Sequence, residues 1–340
     1  MNLNRGINLG GFLSQCEHKE SHYQTFIDEN DIKQIAEWGF DHVRVPVDYE
    51  VIETEDGQTK ESGYAYIDNI VKWSKAHGLN MILDLHKAYG YDFNDAGDAE
   101  KNNLFSNEAL QQRFVNLWKN FANRYGKETH MAFELLNEVV EEDNVAAWNQ
   151  LIEKAVSAIR EITKDTYIIY GGIRWNSAST LQYLEKPKFD NIIFTFHFYE
   201  PLLFTHQKAY WVAAMDPNQT ISYPVTMEYY KAESEKLGAQ GLSVTDAKAK
   251  TMGPEFITER IEEAIEAAKN AGVGLYCGEF GVIDQAPIED TLRWFEDVDG
   301  VFRAHDISCA VWSYKKMDFG FVDAHYDDIR KQLLELWTGK

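Results

Sequence analysis

Apolar residues recur along the chain in two rhythms. Eight short runs are nearly continuous in aliphatic, aromatic and β-branched residues: Gly6–Leu9, His42–Val47, Asn80–Leu85, Met131–Leu136, Thr166–Tyr170, Asn191–Phe196, Gly274–Cys277 and Ile307–Trp312. Strands buried on both faces have this appearance. The intervening stretches are longer and repeat with the period of a helix. Asp28–Trp38 places Ile32, Ile35 and Ala36 on one face, and Tyr66–His77 does so with Ile67, Ile70, Val71 and Ser74. Asn107–Tyr125, Val145–Ile162, Glu255–Ala271 and Glu289–His305 follow the same rule. Gly39, Gly78, Gly126 and Gly272 stand just past four of these stretches, where a helix end favours a positive φ. Strands alternating with helices predict an α/β fold with a parallel sheet, and eight strands close a (β/α)8 TIM barrel.

The 340 residues exceed the roughly 250 such a barrel needs, and the surplus has a place. From Tyr199 to Gly253 there is no compact strand–helix repeat; the segment is polar and aromatic, with Tyr210-Trp211, Tyr223-Pro224 and Tyr229-Tyr230. Connections longer than about 15 residues in a compact domain are usually lids or small subdomains. This one follows the sixth run, so an insertion over about 200–253 is expected to rise beside the strand ends as a cleft wall or lid. No repeat, low-complexity tract or linker marks a second domain, and residues 1–340 read as a single catalytic barrel.

Charge narrows the partners. With 33 basic and 55 acidic residues the net charge is −22, which disfavours nucleic acid, since that needs a basic stripe, and disfavours anionic membranes. A neutral polymer is not repelled. Aromatics make up 14% of the chain, a surplus suited to flat ligand faces such as those of sugars. Cys16, Cys277 and Cys309 are too few, and odd in number, for a disulfide framework. No run approaches the ~20 apolar residues of a membrane span. The opening Met1-Asn2-Leu3-Asn4-Arg5 lacks an apolar signal segment, so the expectation is an intracellular protein or a signal lying outside this sequence. A monomer is the expected state.

In a barrel of this type the chemistry is built at the C-terminal ends of the strands. Those ends carry Arg44, Asp84 and His86, Asn137-Glu138, His197 and Tyr199, Glu279, and Trp312. One lone carboxylate would be a cap or an ion-pair partner. Two of them, converging with Arg, Asn, His, Tyr and Trp, are more polar groups than a core would bury for packing alone. Glycosidic hydrolysis needs such a pair, one group to protonate the leaving oxygen and one to attack the anomeric carbon or activate water. Glu138 and Glu279 are the candidates, with Arg44 holding Glu279 ionised and Tyr199 donating to it. Asn137 and Glu138 are consecutive, so both reach one site only if the strand departs from regular geometry there. Asp84 and Glu134 lie inside apolar runs and are expected to be paired inside the barrel, Glu134 with a basic group. No dinucleotide or phosphate-binding glycine motif is present, so no cofactor is implied. His86 and His197 lack the close spacing of zinc ligands, and no metal is expected.

These residues carry a resemblance. Leu135-Leu136-Asn137-Glu138 resembles the Asn-Glu signature of clan A glycosidases, family 5 cellulases in particular, and Gly278-Glu279-Phe280-Gly281 looks like the nucleophile motif of the seventh strand. Ile7-Asn8-Leu9-Gly10-Gly11, His42-Val43-Arg44-Val45-Pro46, Leu83-Asp84-Leu85-His86, His197-Phe198-Tyr199 and Val311-Trp312 match the family's other strand motifs in order. Thr205-His206-Gln207-Lys208-Ala209 opens an insertion like one that a clostridial member carries, and Tyr314–Phe319 is similar too. The resemblance implies a retaining endo-1,4-β-glucanase acting on cellulose or mixed-linkage glucan. Glu138 would be acid/base and Glu279 nucleophile. Arg44, His86, Asn137, His197, Tyr199, Trp312, Asn8 and Trp211 would bind substrate or support the pair, with Trp312 as the floor under the sugar. Trp175 and Phe204 are weaker sugar-platform candidates. The same scaffold serves β-mannanases, glucomannanases and xylanases, and a carbohydrate-binding protein is the non-enzyme alternative. Two segments depart from the family pattern. Lys87-Ala88-Tyr89-Gly90 replaces a common second His and Pro-Gly, and Val139 replaces a Pro. The first bears on substrate preference.

Overall fold

The structure is a computed structural model and describes all 340 residues. It closes eight parallel strands into a barrel in sequence order. These are β1 (Arg5–Asn8), β2 (His42–Asp48), β3 (Asn80–Lys87), β4 (Met131–Glu134), β5 (Tyr167–Gly171), β6 (Ile192–Phe198), β7 (Gly274–Phe280) and β8 (Ser308–Val311). Because β1 pairs with both β2 and β8, no sheet edge is left open. Side chains alternate along each strand. Ile82, Ala132, Ile169, Tyr276 and Ala310 meet one another as a small core inside the barrel. Two residues further along β3 and β4, Asp84 and Glu134 continue on that inner side. The outward residues join the helices and the insertion in one large core.

The predicted helices form at Glu29–Glu37, Glu61–Ala76, Glu108–Tyr125, Val145–Arg160, Pro254–Ala271 and Ile288–Ala304, and Arg330–Thr338 ends the chain. Asp28 and Asp31 cap the first reciprocally. Of the four glycines expected to close helices with positive φ, Gly39, Gly78 and Gly272 do so. Gly126 does not: its φ is −63°, and a Cβ there would press on Thr163. No amphipathic stretch separates the fifth and sixth runs. The structure has only 3-10 turns at Ala178–Tyr183 there, and no helix of the chain is long and apolar enough to cross a membrane.

The insertion after β6 folds into short helices, Leu202–Thr205, Met227–Ser234 and Leu242–Thr245, with 3-10 turns at Glu235–Gly241. Its own apolar residues, including Tyr223, Met227, Tyr230 and Leu237, are buried. Tyr223 anchors it to the helix Ile288–Ala304, donating from its backbone N to Asp290 at 3.1 Å and from its hydroxyl to Asp297 at 2.8 Å. Phe204 is fully buried against Tyr223, with ring centroids 5.2 Å apart. It fills this small core and is no sugar platform, contrary to the expectation from its aromatic surroundings.

Strand ends are where regular pairing fails. Register shifts occur between Val47 and Asp48, between Phe196 and His197, and between Cys277 and Phe280. Such irregularities re-aim side chains near functional sites. β4 ends at Glu134, two residues short of the predicted end. Beyond it Leu135 N still bonds to Ile169 O, but Asn137 N crosses to Leu85 O on the other neighbour. This is the departure expected of consecutive Asn137 and Glu138.

Candidate active site

Arg44 organises the strand ends. Its guanidinium is fully buried and all five N–H groups are engaged. Nε and Nη2 donate to the two oxygens of Glu134 at 2.8 and 2.9 Å, and Nη1 donates to Glu279 Oε1 at 2.8 Å and Asn8 Oδ1 at 3.0 Å. Nη2 also donates to Asn137 Oδ1 at 2.9 Å and lies 3.1 Å from Asp84 Oδ2. The expected interior partner of Glu134 is therefore Arg44. Asp84 has a second partner in His86 Nδ1, at 2.7 Å. Burial raises the Glu134 carboxyl above its ordinary range even with Arg44 beside it. Asn8 is wholly buried and turns its amide N–H to Gly278 O at 2.9 Å, so it braces β7 next to Glu279.

Glu279 is the most heavily supported acid of the group. Arg44 holds one oxygen, and the Tyr199 hydroxyl donates to the other at 2.9 Å. Burial alone would push its carboxyl up; His197, Arg44, His86 and the Tyr199 bond outweigh that and hold it below the usual carboxylate range. Glu138 accepts from His197 Nδ1 at 2.7 Å, and the same nitrogen is 3.6 Å from Glu279 Oε2. An oxygen of Glu138, an oxygen of Glu279 and a His197 ring nitrogen all lie within 4.8 Å of one another. Burial draws the His197 imidazole down, but Glu279 and Glu138 overcome it and raise its proton affinity. His86 is raised likewise against burial, chiefly by Asp84. Its ring stacks parallel to Trp312, centroids 5.9 Å apart at 6°, and its Nε2 has no protein partner.

Around this centre the remaining predicted residues fall into two groups. Lys87 is held by Glu50 at 2.6 Å and Asp92 at 3.3 Å, and the guanidinium of Arg113 covers the Tyr89 ring at 3.9 Å. Both side chains are thus fixed within the protein. Val139 is buried and its carbonyl accepts from Trp175 N at 3.1 Å. Trp175 and Trp211 are each 45% exposed. Trp211 connects to the buried cluster through His206, whose ring lies edge-on to Tyr199 at 4.9 Å and to Trp211 at 6.0 Å.

Two residues in this neighbourhood were given no role by the sequence. Asn176 is buried beside His197, and His206 leans on Tyr199. The Gly171-Gly172 pair just before Asn176 was the available signal, because a Cβ on Gly171 would lie 2.3 Å from Asn176 Oδ1. The donor set of Glu138, His197 and Glu279 suits a cation poorly. Each Glu279 oxygen already accepts from a hydrogen-bond donor, and one of those donors is a guanidinium.

Comparison with known proteins agrees with this geometry. The cellulase (glycosyl hydrolase family 5) family model matches residues 6–318. Endoglucanase C of Acetivibrio thermocellus is 41% identical over 336 residues, 97% of this chain and 96% of that protein. Cellodextrinase A of Ruminococcus flavefaciens is 40% identical over 305 residues, 89% of this chain and 83% of that one. Cel5A of Thermotoga maritima, solved in complex with a mannotriose substrate, superposes with a TM-score of 0.74 at 26% identity, over 98% of this chain and 97% of that one. The chain is a glycoside hydrolase and belongs to glycosyl hydrolase family 5, the cellulase family.

Proposed function

We propose that this enzyme is a retaining endo-β-1,4-glucanase in which Glu279 is the nucleophile and Glu138 the acid/base. The observation that carries the reading is the convergence of the two carboxyl groups, one oxygen of each lying within 4.8 Å of the other. Retaining enzymes need about 5–5.5 Å, and inverting ones about 6.5–9.5 Å to admit a water. A sugar stacked on Trp312 presents its anomeric carbon to ionised Glu279 while Glu138 protonates the departing oxygen. The glycosyl ester leaves Glu279 neutral, and Glu138 then takes a proton from the attacking water. In this reading the Asn137 amide meets a sugar hydroxyl, and His86 supports Trp312 by stacking on it. The insertion, with His206 and Trp211 next to Tyr199, forms a wall of the cleft. The names of the relatives from Acetivibrio thermocellus and Ruminococcus flavefaciens support a glucan substrate.

Glu138→Gln should lose ~100-fold or more on unactivated glucan yet retain far more activity on aryl cellobiosides whose leaving group needs no proton. Glu279→Gln should stop both. A fluorinated glucoside should label Glu279 in the wild-type enzyme; equal losses in Glu138→Gln on both substrates, or a label elsewhere, would reject the assignment. Mannan hydrolysis is the second reading, favoured by the mannotriose complex of the Thermotoga maritima relative. Side-by-side rates on carboxymethylcellulose, barley glucan, glucomannan and xylan rank the substrates.

A further inference from the structure

Asn176 stands on the first turn after β5, and no part of the mechanism above uses it. Its backbone is left-handed, with φ 53°, as are Arg174 and Trp175 before it, a conformation asparagine accepts more readily than most residues. The turn is pinned by Arg174 N to Val140 O and Trp175 N to Val139 O, both at 3.1 Å, and by His197 N to Asn176 O at 2.9 Å. The side chain is 1% exposed. Its Nδ2 donates to Asn137 O at 2.5 Å and faces His197 Nε2 at 3.4 Å.

The orientation of that amide is determined by its partners. A carbonyl oxygen 2.5 Å away accepts only from an N–H, so the NH2 end points at Asn137 O, and its second hydrogen is directed at His197 Nε2. A ring nitrogen facing a donor acts as an acceptor. The ring proton then belongs on Nδ1, 2.7 Å from Glu138 Oε1.

We infer that Asn176 is a positioning residue that holds His197 as the neutral Nδ1–H tautomer and thereby dictates which oxygen of Glu138 carries the catalytic proton. With Oε1 accepting from His197, the acidic proton must reside on Oε2, the oxygen left free for the glycosidic bond. In the second half-reaction the same oxygen receives the proton from water. The charged groups around the ring would otherwise favour imidazolium: Glu138 from the end of β4, Glu279 from β7 and, further off, Glu134, opposed by Arg44 from β2. An imidazolium would place a positive charge against Glu138 and favour its ionised form, which is useless as an acid. The amide N–H at Nε2 offers a second ring proton no acceptor. This inference rests on the assignment of Glu138 as the acid.

The tautomer is read directly by 15N NMR of histidine-labelled protein, with His197→Gln used to assign the signal. The expected result is an unprotonated Nε2 and a protonated Nδ1 throughout the pH range of activity. A proton on Nε2 in that range would overturn the inference. In Asn176→Asp the donor becomes an anionic acceptor of similar size in a backbone conformation Asp also tolerates. Hydrolysis of cello-oligosaccharides should fall by about ten-fold or more, and the basic limb of its pH profile should move to lower pH. Aryl cellobiosides with acidic phenols should be largely spared. Equal loss on both substrates with an unmoved limb would mean a merely structural role. The NMR measurement needs neither variant activity nor substrate, so its outcome is separate from the Glu279 labelling that decides the hydrolytic mechanism.

Discussion

Arg44 meets Glu134 edge to edge, Nε on one oxygen at 2.8 Å and Nη2 on the other at 2.9 Å, and turns its free edge to Glu279 at 2.8 Å. The bidentate half fixes the plane of the guanidinium; the other half is aimed as a consequence. Glu134 therefore acts on Glu279 through an arginine, from inside the barrel.

This geometry separates charge from shape. Arg44→Met would leave Glu134 and Asp84 as buried, poorly compensated anions and should cost about 3–5 kcal/mol of stability. Arg44→Lys keeps the charge but loses the fork, so it should retain more of the stability while losing most of the activity. Urea unfolding and turnover on one aryl cellobioside check both. An Arg44→Met protein as stable as wild type would show that the interior acids do not depend on this residue.

The Tyr199 hydroxyl bond to Glu279 Oε2, at 2.9 Å, contributes to holding that carboxyl low, together with His197, Arg44 and His86, which outweigh its burial. On the proposed mechanism activity requires ionised Glu279, so its affinity for a proton would set the acidic limb of the rate profile. Tyr199→Phe removes one donor to the charged form, the affinity rises, and the limb moves to higher pH. A hydrogen bond to a charged group is worth about 1.5–3 kcal/mol, which corresponds to roughly ten- to hundred-fold in kcat. The pH–rate profile and kcat check this; an unmoved acidic limb would remove Tyr199 from the support of the nucleophile.

The parts of the site that sequence reveals are those tied to the strand period. Arg44, His86, Glu138, His197 and Glu279 stand at or near the ends of apolar runs, and the barrel rule brings such ends together. The irregularity at Asn137-Glu138 follows from consecutive side chains needing one destination. Asn176 was not legible, because its position depends on a left-handed turn and on packing against Gly171, neither of which leaves a periodic trace. Phe204 misled for the opposite reason: an aromatic in a polar insertion looks exposed until the insertion proves to have a core of its own around Tyr223. Between β5 and β6 the outer wall has only the 3-10 turns of Ala178–Tyr183, a departure from the strand–helix alternation expected along the whole chain.

His206 makes the stability of the fold depend on pH. Its Nδ1 lies 3.1 Å from the Thr205 hydroxyl, and its other neighbours are the rings of Tyr199, Trp211 and Phe319. No carboxylate touches it. Burial lowers its proton affinity from 6.5 to about 4, with only a partial counter-pull from Glu279. Above pH 6.5 the ring is neutral in folded and unfolded chains alike, and titration costs nothing. As pH falls from 6.5 towards 4 the unfolded chain binds a proton that the folded one refuses, so stability drops, and it levels off below that. The ring is only partly shielded from water, so roughly 1–2 kcal/mol is the expected loss. His206→Gln removes this component. Urea midpoints of the two proteins, measured from neutral pH down to about 4, should diverge in favour of the variant within that window, whereas parallel curves would show that the imidazole accepts its proton without cost to the fold.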